Sequence, residues 1–164
     1  MPQPLRWILG WLVSAVVITA LAVLAQTQVV IAMLPDVAPT LGAESVPAPV
    51  SAGKRLEHSG YDLFRLGSIY GLFVLCATLV AWLAAEGVAR LAPVRLRWVA
   101  FVVAGAVAML VMLFLAKLKY FGVDILAGAR TPSAKTLQAV AGALGGALMA
   151  WLTRRKRRSR YAVD

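Results

Sequence analysis

The chain contains one cysteine, one histidine and seven acidic residues. The lone Cys76 excludes an intrachain disulfide and any thiolate metal cluster, and with them thiol–disulfide chemistry. Charge of either sign is scarce: only 15% of the 164 residues are charged and 61% are hydrophobic, a balance with no water-soluble solution at this size. The formal charge of +10 does not point to nucleic acid. The cations stand at the ends of apolar runs rather than on a basic face interleaved with aromatics, so no nucleic-acid partner is expected.

What is present is long apolar runs. Four of them, at about 7–34, 66–91, 98–117 and 135–153, have lengths suited to transmembrane helices. The expected fold is an all-α membrane protein, a single integral domain built as a four-transmembrane-helix bundle. Residues 35–53 read as a Pro-rich outer loop, with Pro35, Pro39, Pro47 and Pro49 opposing regular structure. The run through Val29, Val30 and Ile31 favours an uncleaved anchor; Val23-Leu24-Ala25 before Gln26 is the alternative, a small-residue signal cleavage site.

Charge placement gives the orientation. Six cations between Arg154 and Arg160, in the basic tail 154–164, are costly to move across a bilayer. With both termini cytoplasmic, Arg6, then Arg90, Arg95 and Arg97, then the tail lie inside. The outer segments hold Lys54, Arg55, Arg65, Lys117, Lys119, Arg130 and Lys135, offset by five acids. Trp7, Trp11, Trp82, Trp98 and Trp151 all fall in the cytoplasmic half, as an interfacial indole belt. The expected location is a cytoplasmic (inner) membrane, crossed several times.

Three groups of residues are candidates for function. In a helix starting near Lys54, His58, Asp62 and Arg65 fall on one face, so that Asp62 would orient His58 and pair with Arg65. An ordinary helix start at head-group depth explains the same residues. As an enzyme the chain would use His58 and Asp62 as an acid–base pair, but no activated nucleophile stands out, although Ser59 adjoins them. Arg130, in a Gly-Ala-Arg-Thr-Pro-Ser turn, and Lys135 face the same side as His58 and Arg65. These four form the candidate ligand-binding set, a basic rim for an anionic head group such as a lipid-linked glycan phosphate. Lys117 and Lys119 read as lysines that snorkel to lipid phosphate. The third group is Gly142-Ala143-Leu144-Gly145-Gly146, in which Gly142 and Gly146 allow close helix packing within the chain or against a second copy. Glu86 is expected to pair with Arg90, four residues on. No cofactor or metal ligand set is expected.

In order along the chain, Met33-Leu34-Pro35, Lys54 to His58 leading into Tyr61, Arg95-Leu96-Arg97-Trp98, Ala129 to Ser133 and Gly142 to Gly146 resemble the motifs of the VanZ-like family of small bacterial membrane proteins, named for a teicoplanin-resistance protein. Lys54-Arg55 stands where that family has an Asp-Lys pair. Phe121 and Asp124 stand where it has a Glu and a Gln, and an Asp and an Asn at the head of the last span are missing. The resemblance implies an envelope role in contact with lipid-linked cell-wall or exopolysaccharide intermediates. The expected function is accordingly a non-catalytic binding or accessory protein at the extracytoplasmic face. The alternatives are a structural subunit of a larger membrane complex, with membrane-protein partners or self-association, and an intramembrane enzyme acting on a phospho- or glycolipid. Four spans without a midplane ion pair give a transporter no support.

Overall fold

The computed structural model describes residues 3–37, 50–91, 93–119 and 130–154. They form four helices: α1 (Gln3–Val37), α2 (Ala52–Leu91), α3 (Val94–Lys119) and α4 (Pro132–Leu152). Successive helices run antiparallel. α1 packs on α2 and α4, and α3 packs on α2 and α4, so the four close a square. α1, α2 and α3 are each long and apolar enough to cross a membrane. The protein is thus a helical bundle of multi-pass membrane character. Most of the Pro-rich loop, Phe121, Asp124 and the tail beyond Arg154 lie outside the described residues.

The few hydroxyl groups on the helices are satisfied locally. Thr19 donates to the Ala15 carbonyl (2.8 Å), Ser68 to Phe64 (2.9 Å) and Thr78 to Val74 (2.7 Å). Without water to bond to, each would otherwise carry a desolvation cost. α4 starts cleanly: Pro132 occupies its first turn, and the Thr131 side chain accepts from the Ala134 N–H at 3.2 Å. Pro35, expected to open the loop, instead lies inside the last turn of α1. So close to a helix end, the missing N–H and the ring clash disturb little of the ladder.

Backbone contact, more than side-chain bulk, holds α3 to α4. A Cβ built on Gly105 would collide with the Gly142 carbonyl oxygen, and one on Gly142 with that of Gly105. One on Gly146 would strike the Phe101 carbonyl. The glycine pattern of α4 therefore serves packing within the chain, against α3. On its other side, Gly145 abuts Ile18 of α1. Around these contacts Ile18, Val74, Trp82, Phe101, Met109 and Met149 are completely or almost completely buried.

The outside of the bundle is apolar instead of polar. Phe64 is 82% exposed, Val80 69% and Ile69 67%. Large contiguous apolar surface of this kind marks contact with lipid. α4 is not one of the three membrane-crossing candidates α1, α2 and α3, and its small and polar residues are concentrated on its inner face. Its glycines and Gln138 point inward, while Leu137, Val140, Leu144 and Trp151 point out. The tryptophans do not form a simple belt. Trp98 and Trp151 are exposed, but Trp82 is a core residue whose ring meets that of Phe101 at a tilt, 5.8 Å between centroids. Trp11 donates inward to Thr78 at 3.2 Å.

Candidate functional site

The two ends of the bundle differ in how their charges are held. At the end where α1 begins and α4 finishes, the Arg97 guanidinium lies 3.0 Å from the Glu86 carboxylate. The same guanidinium donates to the Thr153 hydroxyl at 3.2 Å and stands over the Phe101 ring at 5.4 Å. Arg6 donates to the Leu152 carbonyl at 2.8 Å, tying α1 to α4. Arg90, the expected partner of Glu86, is the more distant at 3.9 Å. The partner in the next helix lies closer than the one four residues along. This end is cross-linked.

At the other end, α2 and α4 begin while α1 and α3 finish. Among the described side chains it gathers Lys54, Arg55, Arg65, Lys117, Lys119, Arg130 and Lys135 with His58, against Glu57 and Asp62. His58, Arg65 and Arg130 are exposed, and Lys135 is half-buried. The four predicted ligand-binding residues therefore share one end of the bundle, because the helices that start with them run parallel.

Their pairing differs from the expectation. Asp62 accepts a hydrogen bond from the Thr27 hydroxyl of α1 at 2.7 Å. Among the described residues it forms no bond with His58 and no ion pair with Arg65. Arg65 instead stacks over the Tyr61 ring at 5.2 Å. Gln28, one residue beyond Thr27, donates to the Ser59 hydroxyl at 3.1 Å and accepts from Arg55 at 3.4 Å. Ser59 also donates to the Arg55 carbonyl at 2.8 Å and is buried, so it is no nucleophile for the exposed His58. The polar face of the α2 start is thus occupied in docking to α1. Thr27 and Gln28, the partners that hold it, interrupted an apolar run in the sequence, which was the one signal they gave.

Deeper in the bundle, the Tyr70 hydroxyl donates to the Gln138 side chain at 2.8 Å, and Gln138 donates to the Ala22 carbonyl at 3.0 Å. All three groups are buried, and the chain of bonds joins α2, α4 and α1. Asp62 and Glu86 mark the two polar layers. From Asp62 to Glu86, 24 positions along, α2 rises about 36 Å, a little more than the ~30 Å hydrocarbon core. The Tyr70–Gln138 pair therefore lies inside the apolar slab. Among the described residues no His, Cys, Asp or Glu cluster could hold a metal ion.

Among the described residues, the α2 and α4 starts carry Arg55, His58, Arg65, Arg130 and Lys135. No protein-family model, curated protein or solved structure matches this chain.

Proposed function

We propose that this protein is a four-span bacterial inner-membrane protein that binds an anionic lipid head group where α2 and α4 begin. The observation that carries the reading is the contrast between its ends. At one, Arg97 is engaged by Glu86 and Thr153. At the other, His58 and Arg65 are exposed beyond a carboxylate that has turned to Thr27. Guanidinium groups at head-group depth bind phosphate through charge-assisted hydrogen bonds. The orientation that puts both termini in the cytoplasm makes this end extracytoplasmic. α4 counts as the fourth span because its 21 residues rise about 31 Å and its outward side chains are apolar. A lipid-linked glycan phosphate, the occupant that the VanZ-like resemblance implies, would meet the same cations. The role is binding rather than catalysis, since Ser59 is buried and Asp62 is not joined to His58.

The test is to extract the protein gently and identify the lipids that travel with it. Wild-type protein is expected to carry anionic phospholipid or glycolipid, and the Arg65→Gln/Arg130→Ala double variant to lose most of it at equal membrane levels. A lipid complement matching the bulk membrane in both proteins would refute the reading.

A further inference from the structure

On the flank of the bundle, between α1 and α2, lies a cleft of about 450 Å3. That size falls in the range of roughly 300–1,000 Å3 typical of small-molecule sites. Its floor is made of small residues, Ala15 and Thr19 on α1 and Gly67 and Gly71 on α2, with Leu63 and Leu72 at its rim. Leu63, Ser68 and Leu72 are exposed, so the cleft opens outward. The hydroxyl protons of Thr19 and Ser68 are already given to the Ala15 and Phe64 carbonyls. The cleft therefore offers an apolar occupant no competing donor.

Its depth and its mouth define that occupant. From Leu63 to Leu75 the α2 wall rises about 18 Å, close to the ~15 Å of one leaflet's hydrocarbon. Arg65 stands one turn before Ser68 on the same row of α2, and His58 two turns before Arg65. Stacked on Tyr61, the Arg65 guanidinium is held at the level where a lipid phosphate sits. Asp62, the nearest acid on α2 at that level, is engaged by Thr27. We propose that this cleft holds an acyl chain of one anionic phospholipid whose phosphate is bound by Arg65. The inference rests on the anionic-lipid reading above and adds where the chain of the lipid lies. A second copy docked here is disfavoured by symmetry. A two-fold axis along the membrane normal pairs residues of equal depth, placing two like-charged Arg65 guanidinium groups at the same level of one interface.

Native mass spectrometry of the full chain in mild detergent, with added phosphatidylglycerol or phosphatidylcholine of matched chains, tests this. Wild type is expected to retain one phosphatidylglycerol with a preference of about tenfold, equivalent to about 1.4 kcal/mol. Arg65→Gln should reduce that preference to parity. Gly67→Leu fills the cleft, and its Cβ meets nothing closer than a Leu63 methyl at 3.8 Å. Ser68→Phe fills it from an exposed position. Both should lower retention about tenfold while keeping wild-type helicity by circular dichroism. Unchanged phosphatidylglycerol retention in both filled variants, with loss in Arg65→Gln, would overturn the cleft and leave the head-group reading standing. Equal retention of the two lipids by wild type would overturn both. A dimer that Gly67→Leu converts to monomer would also overturn the cleft proposal, making this face a contact between copies.

Discussion

Gln138 is tolerated inside the apolar slab because both ends of its amide are used. It accepts from Tyr70 and donates to Ala22, joining three helices through one side chain. Two substitutions separate the bond from the penalty of leaving it half made. Tyr70→Phe removes one donor and is expected to cost about 0.6–1 kcal/mol, the usual size of such bonds in membranes. Gln138→Ala strands the buried Tyr70 hydroxyl as well and opens a void, so it should cost about 2 kcal/mol or more. Thermal unfolding in detergent checks the order, and a Tyr70→Phe loss equal to that of Gln138→Ala would contradict it. At this scale the sequence was only partly legible. Spacing along a helix suggested Glu86 with Arg90 and Asp62 with His58. Glu86 does meet Arg90, at 3.9 Å, but the facing helix supplies its closer partner, Arg97, and Thr27 rather than His58 takes Asp62. One-dimensional spacing counts neighbours on the same helix and says nothing of the facing one.

Among the elements, α4 differs most from its neighbours. Its glycines bring it against the α3 backbone so closely that Gly105, Gly142 and Gly146 admit no side chain. Gly142→Leu or Gly146→Leu should therefore destabilise the bundle by about 3 kcal/mol or prevent its assembly, since a carbonyl cannot move aside as a side chain can. Gly87 is the control: a Cβ there meets nothing within 4 Å. Gly87→Ala should be neutral or stabilise α2 by up to about 1 kcal/mol. Comparing the unfolding of these variants in one detergent tests the packing directly; a harmless Gly142→Leu would refute it. The sequence marked α4 as a close-packing helix, because rows of glycine and alanine at four-residue spacing have few other uses in lipid. It did not show which helix they meet, since α1, α3 or a second copy would suit the same row. It also ended α1 too early at Pro35, where a proline in the last turn proved compatible with two more helical residues.

For the whole molecule, an antiparallel square of four helices follows from the short link between α2 and α3 and from the need to bury each helix's small-residue face. That arrangement brings the starts of α2 and α4 to one end, and with them His58, Arg65 and Arg130. The alternation of apolar runs with cations made the number of helices and their order legible in the sequence. Which cations are held by partners was not, because Arg97 and Arg65 look alike until the facing helices are in place. The central claim, that the basic end faces outward and the cross-linked end inward, is tested most directly by cysteine accessibility. With Cys76→Ser as background, single cysteines at His58, Arg130, Arg6 and Arg154 are exposed to a membrane-impermeant maleimide in intact spheroplasts. The account predicts labelling at positions 58 and 130, and labelling at 6 and 154 only after lysis. Labelling of 58 and 130 from opposite sides of the membrane would contradict it.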